Sequence, residues 1–244
     1  DMVRHLVSMM DIKDDIQEIL HLAADLKGKF KEGIPRQTLK GKTLGMIFEK
    51  PSLRTRISFE VGMYQLGGSA LYISPSEISM GKRESVHDVA KVISRYVDGV
   101  MYRAFDTRVM KELATHAEVP VINGLDNVEH PCQVVSDLFT IMEHKGDPRG
   151  LKLAWVGDGN NVCNSLLLGT AMTDMSMTAA CPAGYGPDEG ILRIAEEMGM
   201  GKVRVVENPL EAVSDADIIY TDTWVSMGEE ADRERKMTAL KMYQ

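Results

Sequence analysis

The sequence predicts an α/β protein of two domains, each a parallel sheet flanked by helices. Short apolar segments typical of buried strands alternate with segments of helical periodicity along nearly all 244 residues. The turn-forming sequence Gly-Asp-Pro-Arg-Gly at 146–150 interrupts this alternation, which then resumes. We therefore predict a first domain over 1–146 and a second over 147–244.

Four strands and five helices are predicted in the first domain. In the first helix, Ile12, Ile16 and Ile19 recur at helical spacing, and Gly28 is expected to end it. The strands are compact apolar runs such as Thr-Leu-Gly-Met-Ile-Phe. The predicted helices cover 11–27, 52–66, 86–96, 109–116 and 133–144, and the predicted strands cover 43–48, 70–73, 99–102 and 120–122.

The second domain continues the same alternation. Its predicted strands cover 151–156, 176–180, 203–206 and 217–221, and its predicted helices cover 162–173 and 188–198. Strands that alternate with helices of about three turns indicate βαβ units and a parallel sheet. Because open parallel sheets bind ligands beyond the carboxyl ends of their strands, we look for functional residues directly after each strand.

Composition and charge exclude several classes of function. Lys and Arg number 28 against 36 Asp and Glu, and the net charge of −8 argues against a general binder of nucleic acid or of anionic membranes. No apolar run approaches ~18 residues, and the first residues carry charges where a secretory signal is apolar. The three cysteines form no disulfide or zinc pattern, which favours a cytoplasmic location.

The first strand leads into a segment suited to bind phosphate. Ser52, Arg54, Thr55 and Arg56 place two hydroxyls and two guanidiniums at the start of a helix. A helix N-terminus offers unpaired N–H groups to an anion, and Arg binds phosphate bidentately. The alternative is an ordinary N-cap followed by a solvated basic turn. Arginines early in a helix oppose its dipole unless an anion compensates them, which favours phosphate.

Two further strands of the first domain end close to polar side chains. Arg103 closes a buried strand and is either paired structurally or directed into a site. His130 and Gln133 lie where Pro131 opens a helix, and both could donate to a carbonyl oxygen. Cys132 between them is interpreted as a packing residue, because no second His lies nearby in the sequence to activate a nucleophile.

Two segments of the second domain also follow strands. Gly-Asp-Gly-Asn-Asn at 157–161 is superficially similar to a dinucleotide loop, so a nicotinamide-dependent dehydrogenase is one alternative. It is disfavoured because Val162 stands where that motif needs its third glycine, and no acidic ribose ligand ends the next strand. After the last strand, Asp222 and its neighbouring hydroxyls suit recognition of an ammonium group.

Together and in this order, these segments resemble the aspartate/ornithine carbamoyltransferase family. The resemblance covers nearly the whole chain, including S-F-E-V-G-M-Y-Q-L-G-G, S-R-Y-V-D-G, P-V-I-N-G-L and Y-T-D-T-W-V-S-M-G. The S-M-G sequence is similar to the ornithine-specific members and not to the aspartate-specific ones. The resemblance implies an active site in an interdomain cleft, and transfer of the carbamoyl group from carbamoyl phosphate to the δ-amine of L-ornithine in arginine metabolism.

The resemblance also assigns residues to the two substrates. The carbamoyl phosphate set is Ser52, Leu53, Arg54, Thr55, Ser79, Arg103, His130, Pro131, Cys132 and Gln133. The ornithine set is Asn161, Asp222, Ser226 and Met227. Leu53 stands where the family usually has Thr, and Ser79 where it has Gln. The family's H-C-L-P segment and closing C-terminal helix are absent, so we expect the second domain to be C-terminally incomplete.

The implied catalytic groups are Arg103, His130 and Thr55, which would donate to the carbonyl oxygen while phosphate leaves. No metal or organic cofactor is implied. Members that this chain resembles are trimers, so we expect a homotrimer or a multiple of trimers in which 74–82 contacts a neighbouring subunit. Two alternatives remain open: a carbamoyltransferase for another amino substrate, and a non-catalytic subunit that binds carbamoyl phosphate.

Overall fold

The computed structural model describes residues 3–78, 80, 84–199, 202–225 and 230–243. Ser79, Ser226 and Met227, which the resemblance assigned to the substrates, lie outside the described residues. The chain divides into two compact units, Asp1–Asn127 and Val128–Gln244. Both are α/β units with a parallel sheet, so the predicted fold class is confirmed.

The first unit is built on a four-stranded parallel sheet in the order β2-β1-β3-β4. Its strands are β1 (Thr43–Phe48), β2 (Ser69–Ile73), β3 (Gly99–Arg103) and β4 (Val121–Leu125). Its helices are α1 (Ile16–Lys31), α2 (Leu53–Gln65), α3 (Pro75–Ile78), α4 (Val86–Ile93) and α5 (Thr107–His116), preceded by a 3₁₀ helix at Met9–Ile12. The short helix α3 was not predicted.

Alternate residues of the strands pack on opposite faces of this sheet. Met46 and Met101 belong to a cluster that includes Phe59 of α2, whereas Ile47 and Val100 belong to the cluster that contains the apolar residues of α4 and α5. Burial on both faces explains why the strands of this unit are near-continuous apolar runs in the sequence.

The first helix differs from the prediction at both ends. The Ser8 hydroxyl accepts from the N–H of Met10, and the Asp11 carboxylate accepts from the N–H of Ser8, so a separate 3₁₀ turn forms before α1. Gly28 lies within α1. The helix ends instead before Gly33, whose φ of 74° is the left-handed conformation that glycine adopts without strain.

The second unit repeats the architecture with the strand order β7-β6-β5-β8. Its strands are β5 (Lys152–Val156), β6 (Ser176–Ala180), β7 (Val203–Val206) and β8 (Ile218–Tyr220). Its helices are α6 (Pro131–Lys145), α7 (Asn161–Met172), α8 (Glu189–Met198), α9 (Pro209–Val213) and α10 (Arg233–Ala239), with 3₁₀ helices at Glu230–Asp232 and Leu240–Tyr243. Helices α9 and α10 were not predicted. Among the described residues, no helix has both the length and the apolar character needed to cross a bilayer.

The strand order reverses once in each sheet, and the reversal marks where a ligand is expected. β1 is followed in sequence by β2 on one side, and β3 then pairs on its other side; β5 lies in the same way between β6 and β8. Open α/β sheets bind ligands at the carboxyl ends of the strands that flank such a point. In the first sheet Phe48 pairs with Arg103, and in the second Trp155 pairs with Tyr220, so the segments that follow these residues are neighbours.

Candidate active site

The carboxyl ends of β1 and β3 bring the predicted phosphate loop next to Arg103. Ser52 has an extended backbone and caps α2, because its hydroxyl oxygen accepts from the N–H of Thr55 at 3.4 Å. The Ser52 hydroxyl donates to Thr55 Oγ1 at 3.0 Å, and Arg103 Nη1 donates to the same Oγ1 at 3.5 Å. Two hydroxyls and a guanidinium therefore meet at the first turn of a 13-residue helix.

In the part of the chain that the structure describes, the positive charge at this point is not paired with a carboxylate. Arg103 is only 6% exposed, and burial followed by the nearby positive charge of Arg54 lowers its pKa. Among the described residues, neither arginine forms an ion pair, and Arg103 Nε has no hydrogen-bond partner. Two guanidiniums that repel each other at a helix N-terminus form a site that a dianion would stabilise.

Arg56 is held differently from Arg54, although both belong to the same motif. Its Nε donates to Glu60 at 3.1 Å, and its guanidinium lies 4.0 Å from the ring centroid of Tyr72. Arg56 is thus already compensated within its own unit. Leu53 is the residue of this loop that departs from the family pattern, and its side chain is exposed.

The segment that carries His130 is fixed by helix α7 of the second unit. The N–H of His130 donates to Ser165 Oγ at 2.9 Å, and Asn164 Nδ2 donates to the carbonyl of Val128 at 2.9 Å. Sequence reasoning missed both anchors. Their signal was present, since Asn164 and Ser165 are adjacent polar residues in a helix that is otherwise apolar and buried from Val162 to Gly169.

Cys132 and Gln133 occupy the first turn of α6, after Pro131 at its first position. Burial raises the pKa of Cys132 to about 12, so its thiol stays protonated at neutral pH. This argues against a thiolate nucleophile. The amide nitrogen of Gln133 donates to Asp137 Oδ1 at 2.9 Å, one turn further along the helix.

The carboxyl ends of β5 and β8 bring Asp222 next to the 157–161 loop. Asn160 Nδ2 donates to Asp222 Oδ2 at 2.9 Å, and the N–H of Thr223 donates to Oδ1 at 2.7 Å. Asn160 also caps α7, since its Oδ1 accepts from the N–H groups of Val162 and Cys163. Asn160, which sequence reasoning missed, thus contacts Asp222, and the predicted Asn161 follows it as the first residue of α7.

The two glycines of this loop are explained by close packing at one position and by backbone conformation at the other. A Cβ on Gly159 would lie 2.3 Å from the backbone nitrogen of Pro187, so only glycine fits there. Gly157 has a φ of 140°, which side chains rarely adopt. No group of three or more His, Cys, Asp or Glu side chains in the described part of the chain is arranged to hold a metal ion.

Comparison with known proteins agrees with this geometry. Residues 4–143 match the carbamoyl-P binding domain of the aspartate/ornithine carbamoyltransferases, and residues 149–244 match their Asp/Orn binding domain. The compact units divide between Asn127 and Val128. The domain boundary expected at 146/147 stays a prediction.

Individual relatives match over almost all of this chain. The ornithine carbamoyltransferase of Archaeoglobus fulgidus is 51% identical, with 99% of this chain and 79% of that protein covered. The solved ornithine carbamoyltransferase of Pyrococcus furiosus is 43% identical with a TM-score of 0.95, covering 99% of this chain and 78% of that one. The solved anabolic enzyme of Campylobacter jejuni is 38% identical with a TM-score of 0.92, covering 98% and 79%. The chain belongs to the aspartate/ornithine carbamoyltransferase family.

Proposed function

We propose that the protein transfers the carbamoyl group of carbamoyl phosphate to the δ-amine of L-ornithine, giving citrulline and phosphate. The observation that carries this proposal is the pair Arg54 and Arg103, which forms no ion pair with a described residue and lies beside the hydroxyls of Ser52 and Thr55. The names of the relatives that cover the chain support ornithine as the acceptor.

The first step is capture of the phosphate. The N–H groups of the first turn of α2, the Ser52 hydroxyl and Arg54 bind the phosphoryl oxygens, because this helix end is electropositive. Arg103 Nη1 and Thr55 Oγ1 lie 3.5 Å apart, so one carbonyl oxygen beside them can accept from both. Their donation stabilises the negative charge that develops on this oxygen, and His130 is proposed as a third donor.

Ornithine is held by the second unit. Asp222 is fixed by Asn160 and by the N–H of Thr223, and each carboxylate oxygen keeps a further lone pair for the α-ammonium group. Asn161, Ser226 and Met227 are proposed to line the same site. The δ-nitrogen attacks in its neutral form, forming the N–C bond as the bond from carbon to the phosphate oxygen breaks. The proton passes from nitrogen to the departing phosphate.

An acceptor comparison tests the proposal. The full-length protein is incubated with carbamoyl phosphate and, in separate assays, ornithine, lysine or aspartate. We expect citrulline and phosphate in equal amounts with ornithine only. Carbamoyl-aspartate or carbamoyl-lysine as the main product would overturn the substrate assignment. Binding of carbamoyl phosphate without any turnover would support the non-catalytic alternative.

We also propose a closed homotrimer or a multiple of trimers, in which 74–82 contacts the neighbouring subunit. Leu53, Ile57, Val61 and Tyr64 lie at helical spacing along α2 and are all exposed, which is unfavourable unless another surface covers them. Sedimentation velocity at micromolar concentration tests this, and a monomer alone would refute it. We place the reaction in arginine biosynthesis in the cytoplasm, supported by three free thiols and by the anabolic relative.

A further inference from the structure

One carboxylate of the second unit connects two parts of the proposed site. Gln133 and Asp137 are four residues apart on α6, and the Gln133 amide nitrogen donates to Asp137 Oδ1 at 2.9 Å. The other oxygen, Oδ2, accepts from the hydroxyl of Tyr220 at 3.0 Å. Tyr220 is the last residue of β8 and stands two residues before Asp222. Neither Asp137 nor Tyr220 was singled out by sequence or by resemblance.

The Asp137 carboxylate dictates how Gln133 presents its amide. An ionised carboxylate only accepts hydrogen bonds, so the amide nitrogen must face Asp137 and the amide oxygen must face away. A side chain held in this orientation offers an acceptor at the start of α6. The carbamoyl NH₂ group is the part of carbamoyl phosphate that only donates, and it matches this acceptor.

Tyr220, which donates to Asp137, is itself held by aromatic packing. The Tyr220 ring stacks on Trp155, with ring centroids 5.4 Å apart and planes 21° from parallel, and Trp155 is fully buried. Burial and the Asp137 carboxylate raise the pKa of Tyr220 far above its usual range, so its hydroxyl remains a donor. In the described part of the chain no Lys or Arg forms an ion pair with Asp137, so its two oxygens depend on Gln133 and Tyr220.

We propose that Asp137 and Tyr220 are positioning residues for carbamoyl transfer, which fix the Gln133 amide with its oxygen toward the carbamoyl nitrogen. Neither residue contacts the reacting atoms. The inference rests on the proposed function, because it assumes that Gln133 faces carbamoyl phosphate. It adds that the orientation of Gln133 is set by a chain of side chains that begins in the core of the second sheet.

The test uses three single variants of the full-length protein, together with a Gln133→Ala background. Asp137→Leu removes both acceptors and keeps the branched shape of the side chain, although Leu is larger, and Tyr220→Phe removes only a single oxygen, so at least one variant should fold. Thr140→Ala is the matched control on the same helix, since its hydroxyl bonds only the helix carbonyl of Ser136 among the described residues. Calorimetry measures the affinity for carbamoyl phosphate and, separately, for inorganic phosphate, which lacks the carbamoyl group.

A positioning role has a selective signature. We expect Asp137→Leu to weaken carbamoyl phosphate binding about tenfold and Tyr220→Phe about threefold, while inorganic phosphate affinity changes by less than about twofold. In a Gln133→Ala background, Asp137→Leu should cause no further loss, because the group that it positions is gone. Thr140→Ala should bind both ligands as the unmodified protein does.

Three outcomes would overturn the inference. These are unchanged carbamoyl phosphate affinity in both variants, an equal loss for carbamoyl phosphate and inorganic phosphate, or additive losses in the Gln133→Ala background. The proposed function is judged separately on the unmodified protein. If that protein makes citrulline but the variants bind like the control, only the positioning inference fails.

Discussion

Replacing Lys236 by Met is expected to lower the unfolding free energy of the second unit by about 3–5 kcal/mol. Lys236 Nζ lies 2.6 Å from Asp158 Oδ2, and each side chain is only 9% exposed. Removal of the ammonium leaves the Asp158 carboxylate buried without this countercharge. The free-energy cost of keeping that charge out of water is then no longer offset by the ion pair. The pair also joins α10 to the 157–161 loop that holds Asp222, so ornithine affinity should fall together with stability.

A second ion pair of the same unit provides the matched control. Arg204 Nη1 lies 2.6 Å from Glu211 Oε1, the same separation, but these side chains are 55% and 49% exposed. Arg204→Met should therefore lower the unfolding free energy by only ~0–1 kcal/mol. The difference between the two variants isolates the effect of burial.

Urea unfolding followed by tryptophan fluorescence measures both losses, since Trp155 and Trp224 lie in this unit. Adding Asp158→Asn to Lys236→Met should restore much of the lost stability, because neither charge is then left buried alone. A loss for Lys236→Met no larger than for Arg204→Met, or a double variant that is worse than the single one, would refute the reasoning.

Four further predictions test the site. Arg54→Ala should weaken carbamoyl phosphate binding by one to two orders of magnitude, from a charge-assisted contact of about 1.5–3 kcal/mol, whereas Arg56→Ala, whose guanidinium is already paired, should bind normally in calorimetry. Asp222→Asn should weaken ornithine binding strongly and leave carbamoyl phosphate affinity almost unchanged; equal losses for both ligands together with a lower melting temperature would instead indicate a structural residue. The Cys132 thiol is partly exposed but has its pKa raised to about 12, so at pH 7–8 it should be alkylated much more slowly in the folded than in the unfolded protein, as peptide mass spectrometry can show. Burial raises the pKa of Asp137, so the folded state holds that proton more tightly than the unfolded state; urea unfolding at a series of pH values should show stability falling as the pH rises between the unfolded and the folded pKa of this group, and Asp137→Leu, which has no titrating group, should lose this dependence.

The strands were the most predictable part of the fold. β1, β6 and β7 have the predicted bounds, because each is a compact β-forming run between turn or capping signals. Helix ends depended on details that periodicity does not contain. Gly28 looked like the stop of α1, yet the left-handed residue that ends the helix is Gly33, five residues later.

Helix α10 shows what sequence patterns could not supply. Its sequence, Arg-Glu-Arg-Lys-Met-Thr-Ala, has no apolar stripe from which a buried face could be predicted. Its anchor is Lys236, whose partner Asp158 lies 78 residues earlier in the chain. A buried lysine is inferred only when its countercharge is known to be adjacent, and that adjacency is a property of the fold.

The candidate site divides in the same way between local and non-local information. The Ser52 cap and the basic turn after it are local, and the sequence pattern placed them correctly at a helix N-terminus. The Asn160–Asp222 bond joins residues 62 apart and exists because β5 and β8 are neighbours in the second sheet. The cap at the start of α7 is what holds Asn160 beside Asp222, and the sequence pattern does not contain that geometry.

The two sheets share one topology, but the side chains near the reversal of strand order carry positive charge in the first sheet and negative charge in the second. At the reversal of the first sheet, Arg54 and Arg103 repel each other and no described carboxylate pairs with either. Near the reversal of the second, Asp137 and Asp222 are both acidic, and the negative charge of Asp222 contributes to the raised pKa of Asp137. Net charge could not reveal this, since −8 over the chain is compatible with either sign at a given strand end. Among the described residues, guanidiniums without an ion pair lie at this edge of the first unit and carboxylates without one at that of the second, which is the arrangement expected for the proposed anionic and cationic substrates.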